Sequence, residues 1–262
     1  MRELFEIPEG LSHPDPTRRA QIQMKRPLPK RFYSTVTVVE DDGGYSIRLD
    51  GRPVRTPAKS PLSAPTQVLA DLMRAEWEAQ GEHIDPGTMP ITKLVNTAID
   101  GVASDPQAVF DDVVRFSSSD LLCYRADAPE ELVARQSQRW NPIIDWAASD
   151  MGARFILIEG IMPQDQPREA TVAFAETLRK YDTPIELACL HTMTTLTGSA
   201  ILALAFAEGR VSAEEAWALA HLDEDWTDEH WGMDPEAQIR RERRQEEFQA
   251  AAAAFLSLRQ GA

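Results

Sequence analysis

Two short runs near residues 36–49 alternate between apolar and polar side chains, which is the pattern of strands in a half-buried sheet. Residues 41–44, between the runs, are Asp-Asp-Gly-Gly and tolerate the positive φ angles of a tight hairpin. Asp50 and Gly51 supply a second turn, after which Pro53 and Pro57 limit further strand pairing. The pattern predicts a β-hairpin whose apolar positions are Val36, Val38, Tyr45, Ile47 and Leu49.

Farther along the chain, apolar residues recur at the three- and four-residue spacing of amphipathic helices. This spacing predicts helices over residues 65–80, 90–100, 129–149, 167–180 and 184–208. Further helices are predicted to begin at Pro106, Ser212 and Pro235, where capping residues are present. The run from Arg154 to Ile158 is the exception, and it is predicted as a short strand that returns to the N-terminal sheet.

These elements divide the chain into three parts. Residues 1–30 are rich in proline and charge and are predicted to form an extended arm. Residues 31–104 hold the strands and two helices, whereas residues 105–262 are almost wholly helical. The pattern therefore predicts an α+β protein in which a small N-terminal α+β domain with antiparallel strands precedes a C-terminal helical domain.

The charge balance narrows the classes of partner. The chain has 27 basic and 42 acidic residues, a net charge of −15. Such a charge disfavours nonspecific binding to nucleic acid or to an anionic lipid surface. It also means that an acidic partner would be repelled unless a basic patch faced it.

The cysteines and the first 30 residues indicate in which cellular compartment the protein is expected. Cys123 and Cys189 form no CxxC pair and share no metal-like spacing with histidine, so buried thiols in a reducing compartment are expected. No apolar run is long enough to span a bilayer, and membrane insertion is not expected. The first 30 residues resemble neither a secretory signal nor a clear mitochondrial one, because they contain several acidic residues. We expect a bacterial cytoplasmic protein, with the mitochondrial matrix less favoured.

Signatures of catalysis and of nucleotide binding are missing from the sequence. There is no GxxxxGKS or GxxxxGKT loop, and no GxGxxG between a strand and a helix. Ser119 and Asp120 lack the surroundings of a nucleophile, and one or the other is predicted to cap a helix end. His191 lies among apolar residues and is predicted to be a core histidine. We therefore expect no catalytic residues, no cofactor and no binding of ATP.

The densest cluster of charge lies at residues 221–230. Three interpretations remain open for it: a docking surface for a partner, a solvated helix face beside an inward-facing apolar side, or a divalent metal site. The third would make the chain a metal-dependent hydrolase, which is the alternative function. The cluster consists of His221, Asp223, Glu224, Asp225, Asp228, Glu229 and His230. The apolar side consists of Leu219, Leu222 and Trp226.

Several short motifs, in one order from residue 31 to the C-terminus, resemble a single family. This family comprises the assembly chaperones for the α subunit of the F-type ATP synthase catalytic head. Several motifs in a fixed order are more specific than any one of them. At Thr227 the sequence departs from relatives, which often carry glutamine there. The matching segments are 31–33, 49–57, 76–80, 89–100, 119–125, Gln136 with Trp140, Asp223 with Glu224, and Trp231 with Gly232.

The resemblance implies both a fold and a function. It implies an N-terminal α+β domain, a C-terminal orthogonal helical bundle and no enzymatic activity. The expected partner is the unassembled α subunit, whose apolar interface the chaperone shields until the β subunit replaces it. Acidic residues matching Asp223 and Glu224 are functionally important in the family. The partner-binding residues expected here are Asp223, Glu224, Asp225, Glu229 and Trp231.

Overall fold

A four-stranded antiparallel sheet opens the folded chain in the computed structural model, which describes residues 28–160 and 164–259. The predicted hairpin is present: β1 (Val36–Asp41) pairs with β2 (Gly44–Leu49), and Val38 lies opposite Ile47. β3 (Arg52–Pro53) and β4 (Ser63–Ala64) pair with the two ends of β2. The α+β prediction for this part of the chain is confirmed.

One helix packs on this sheet, and a second helix joins the first to the rest of the molecule. α1 (Gln67–Glu78) begins at Thr66, whose hydroxyl accepts a hydrogen bond from the Leu69 amide, and α2 spans Pro90–Asp100. Both carboxylate oxygens of Glu76 accept 2.7 Å hydrogen bonds from the first amides of α2, those of Ile91 and Thr92. Helix N-termini favour such anions, so Glu76 joins the two helices.

The remaining chain is mostly helical, as predicted. Its first helices are α3 (Pro106–Ser117) and α4 (Glu130–Asp150), with the short strand β5 (Tyr124–Arg125) between them. The helices that follow are α5 (Arg168–Leu178), α6 (Pro184–Thr197), α7 (Ala200–Ala207), α8 (Ala213–Ala220), α9 (Leu222–Trp231) and α10 (Pro235–Ser257).

Two sequence predictions in this region are wrong. The strand-like run ends in β6 (Ile158–Glu159), which pairs in parallel with β5 and not with the N-terminal sheet. The single helix predicted over 184–208 is two helices, because Gly198 takes a left-handed conformation and ends α6. Ser199 then caps α7 by accepting a hydrogen bond from the Leu202 amide.

One continuous apolar core runs through both parts of the chain. The domain boundary expected at Ser104 falls in the 3-10 turn Val102–Ser104, and α2 on one side of it packs against α6 and α10 on the other. The division at that residue stays a prediction. The N-terminal arm predicted over residues 1–30 lies outside the described residues, except for its last three.

Candidate partner-binding site

Helix α9 carries all five residues predicted to bind a partner. Asp223, Glu224 and Asp225 occupy its first turn, where negative charge interacts favourably with the helix dipole. The helix ends at Trp231, before Gly232. Between α9 and the first turns of α10 lies an open groove of about 470 Å³, with acidic side chains on the α9 wall and arginines on the α10 wall.

The inner side of α9 is fixed by His221 and Leu222, both of which are buried. The ring of His221 lies 3.8 Å from that of Trp217, and its Nδ1 is 2.9 Å from the Trp217 carbonyl oxygen. Burial lowers the pKa of His221, so its ring is neutral at physiological pH. Since a carbonyl can only accept, the proton of the neutral ring is on Nδ1.

Glu224 is the acid of this cluster that extends most clearly into solvent. Its side chain is 56% exposed, and its carboxylate lies 4.0 Å from Nε2 of His221. That nitrogen carries no proton in the neutral ring, so it neither donates to Glu224 nor offsets its charge. Glu224 therefore presents a negative charge outward.

Asp223, the neighbouring acid, is turned partly inward. Its Oδ1 accepts a 2.8 Å hydrogen bond from Nε2 of Gln136 on α4, and Gln136 is buried. Beside it, Nε1 of the buried Trp140 donates to the Leu219 carbonyl oxygen at 2.9 Å. The Gln136 and Trp140 motif thus attaches α4 to α8 and α9.

Local arginines neutralise most of the other acids. Arg241 on α10 lies 2.5 Å from Asp225 and 3.8 Å from Asp228. Arg135 on α4 makes two hydrogen bonds, of 3.0 and 2.8 Å, with the carboxylate of Glu229. This paired arginine lowers the pKa of Glu229 below its ordinary value. The sequence showed the acids but not these partners, which lie on two other helices.

The end of α9 exposes apolar surface. The side chain of Trp231 is 79% exposed, and Met233 and Ile239 nearby in the chain are each more than half exposed. Trp226, predicted to point inward, is half-buried, and its ring stacks on that of His230 at 4.0 Å. Large exposed aromatic residues are frequent anchors of protein interfaces.

Thr227 stands where the sequence departs from its relatives. Its hydroxyl donates a 2.8 Å hydrogen bond to the Asp223 carbonyl oxygen one turn earlier in α9. The exposed side chain is therefore engaged with its own helix.

The metal interpretation of the cluster finds no geometric support. In the part of the chain that the structure describes, no group of three or more His, Cys, Asp or Glu side chains could hold a metal ion. Nδ1 of His230 lies 2.7 Å from the Trp226 carbonyl oxygen, so both histidines of the cluster are engaged with their own helices. Over the same residues, no helix combines the length and apolar character needed to cross a membrane.

Outside the cluster, the predicted roles of four residues can be compared with the structure. Asp120 caps a helix as predicted, although the carboxylate is fully buried and also reaches α7. His191 is only partly buried and lies 2.9 Å from Asp112, so it is not a core histidine. Cys123 and Cys189 are free, buried thiols.

The described chain thus combines an α+β fold with a charged, partly apolar surface on α9 and the turn after it. The family model described as ATP12 chaperone protein matches residues 30–148. A structure of Atp12 from Paracoccus denitrificans is 38% identical, with a TM-score of 0.81, and the match covers 87% of this chain and 98% of that one. The chain belongs to the ATP12 chaperone family, whose members act in ATP synthase assembly and are not enzymes.

Two further relatives are consistent with membership of this family. A crystal structure of an Agrobacterium tumefaciens protein, provisionally described as a chaperone, is 66% identical with a TM-score of 0.87, over 95% of this chain and 94% of that one. The mitochondrial atp12 protein of Schizosaccharomyces pombe is 24% identical over 226 residues, which are 82% of this chain and 77% of the relative. The resemblance found in the sequence motifs is confirmed, and the hydrolase alternative has no support.

Proposed function

We propose that this protein binds the unassembled α subunit of F-type ATP synthase and keeps it soluble until the β subunit takes its place. Membership of a family that acts in ATP synthase assembly supports this, together with the motifs that resemble α-subunit chaperones. An α subunit without its β neighbours exposes apolar interface, and such surface aggregates. The β subunit displaces the chaperone because it competes for the same surface.

The surface of α9 and the turn after it is the proposed contact, and the exposure of Trp231 is the observation that carries this assignment. A tryptophan that is 79% exposed on a folded helix offers a large rigid anchor for a partner. Glu224 lies on the same helix with its charge directed outward and would meet a basic residue of the α subunit.

The other three predicted residues have partners within the chain. Asp223 is bonded to Gln136, Asp225 is paired with Arg241, and Glu229 with Arg135. These three residues hold the surface in shape and contribute to its charge. A partner could contact only those of their atoms that are exposed and not already engaged within the chain.

The proposed location is the cytoplasm of a bacterium, because the relatives with 66% and 38% identity are from Agrobacterium and Paracoccus. The function needs neither a nucleotide nor a cofactor, since it consists of shielding a protein surface. Nucleic acid and membrane are not among the proposed partners, given the net charge of −15.

Co-expression with the α subunit tests the proposal. Glu224→Lys and Trp231→Ala should each reduce the amount of soluble α subunit, whereas Glu176→Lys should not. Glu176 is the matched control because it is an exposed glutamate inside a different helix, α5. If all variants, at equal chaperone levels, yield as much soluble α subunit as the wild type, the α9 surface is not the contact.

A further inference from the structure

We infer that Asp223 acts inside the protein as a positioning residue: it supplies the counter-charge for the buried Arg125 and ties the start of α9 to α4. Its neighbour Glu224 is then the one of the pair that faces the partner. The inference deepens the proposed function and rests on it for the role of Glu224, but the internal role of Asp223 can be tested separately.

Arg125 has an unusual environment for a guanidinium group. The residue is 8% exposed, its Nε donates to the Leu122 carbonyl oxygen at 2.8 Å, and its Nη1 donates to Oδ1 of Asn141 at 2.9 Å. Its Nη2 is buried without a hydrogen-bond partner in the described chain. Both hydrogen-bond partners are uncharged, and a guanidinium stays protonated, so this buried positive charge is not hydrogen-bonded to an anion in the described chain.

The Trp140 ring and two titratable groups favour this buried charge electrostatically. The guanidinium carbon of Arg125 lies 5.3 Å from the centre of the Trp140 ring. Burial lowers the pKa of Arg125, while the charges assigned to Cys123 and Asp223 oppose that shift. The Cys123 thiol has its own pKa raised far above neutrality by burial, so it is uncharged under physiological conditions. Asp223 is therefore the one of these two groups that carries a negative charge.

Asp223 also attaches the start of α9 to α4 through hydrogen bonds of Gln136. Gln136 donates to its Oδ1 at 2.8 Å, and Oε1 of Gln136 accepts from the Ala126 amide at 2.9 Å. The relay joins the start of α9 to α4 and to the residue that follows β5. Because Glu224 is the next residue along α9, its direction depends on this attachment.

A double-mutant cycle separates the charge from the hydrogen bond. Asp223→Asn keeps an oxygen that can accept from Gln136 but removes the charge, and Arg125→Met removes the buried cation. We expect Asp223→Asn to lower the urea midpoint of the wild type, and to lower it by less than half as much in the Arg125→Met background. An equal loss in both backgrounds would overturn the counter-charge role.

Single variants keep the test decisive if Arg125→Met does not fold. Glu224→Gln should leave the urea midpoint of the wild type unchanged, and Asp223→Asn should lower it. Equal midpoints for Asp223→Asn and Glu224→Gln would place both acids in solvent and contradict the inference.

The salt dependence of α-subunit capture distinguishes positioning from contact. Glu224→Gln should flatten this dependence, because it removes an intermolecular charge pair. The Asp223→Asn variant should capture less α subunit than the wild type. Its capture should nevertheless depend on salt concentration as steeply as that of the wild type. If Asp223→Asn flattens the slope as much as Glu224→Gln, Asp223 touches the partner and the inference is wrong. Should the wild type capture no α subunit, the proposed function fails while the unfolding cycle still decides the role of Asp223.

Discussion

The hydroxyl of Ser199 donates a 2.7 Å hydrogen bond to Oδ1 of Asp120, 79 residues earlier in the chain. The same carboxylate accepts hydrogen bonds from the amides of Leu122, at 3.0 Å, and Ile201, at 2.9 Å. A fully buried anion thus satisfies donors at the start of α7 that lack partners within the helix. Asp120 joins the loop after α3 to the centre of the helical region.

The titration of Asp120 leads to a pH prediction. Burial raises its pKa to about 6 from an ordinary value of 3.8, although hydrogen bonds to the carboxylate oppose the shift. The folded state therefore holds the proton more tightly, and the associated stability is present below about pH 4 and lost as the pH rises through 6. Relative to Asp120→Asn, the wild type should lose roughly 1–3 kcal/mol of unfolding free energy from pH 4 to pH 7. Urea unfolding of both proteins across this range measures the difference, and an increase with pH would contradict it.

Gly198 is predicted to be required for its backbone conformation. Its φ is 70°, and an added Cβ would meet nothing nearer than Cβ of Leu121 at 3.9 Å, so space is not the obstacle. Gly198→Ala should cost about 1–2 kcal/mol because of the left-handed conformation alone. Gly81→Ala is the control, since Gly81 lies outside that conformation and has open space around it. Equal unfolding midpoints for the two variants would show that the left-handed conformation costs nothing here.

Trp77 is predicted to be structural, in contrast to Trp231. It is 2% exposed, its ring lies 5.9 Å from that of Tyr33, and its carbonyl oxygen accepts a 2.7 Å hydrogen bond from the Tyr33 hydroxyl. Trp77→Ala should destabilise the protein by about 3–5 kcal/mol. Trp231→Ala should change stability by less than about 0.5 kcal/mol. Thermal or urea unfolding checks both, and a Trp77→Ala protein that melts like the wild type would refute the assignment.

The chain is also predicted to lack affinity for nucleotide, because no phosphate-binding loop occurs in its sequence. Calorimetric titration with ATP and magnesium should give no binding heat. Micromolar binding would reveal a site that the motifs do not show.

The sequence predicts those features that depend on local patterns. The β1–β2 hairpin follows from its alternation and its Asp-Asp-Gly-Gly turn, and most helices from their apolar spacing. The break at Gly198 was missed because the apolar run continues through it, and the decisive contact comes from Asp120, far away in the chain. The partner of β6 was also wrong, since periodicity does not specify which strand a run pairs with.

In the candidate site, too, the sequence predicts local features but not contacts between residues far apart in the chain. Its acids and Trp231 are evident in the sequence, and so is the end of the helix at Gly232. The partners of those acids are not: Arg135 lies 94 residues from Glu229, and only folding brings them together. Local charge density therefore predicts the candidate surface, whereas the neutralisation of most of its acids depends on tertiary structure.

We propose that this chaperone holds the α subunit and releases it to the β subunit. The most direct test mixes purified protein with α subunit diluted from denaturant, follows the mixture by size-exclusion chromatography, and then adds β subunit. We predict that the α subunit stays soluble and coelutes with the chaperone, and that it leaves the chaperone when β is added. An α subunit that aggregates equally with and without the chaperone, or that never coelutes with it, would contradict the account.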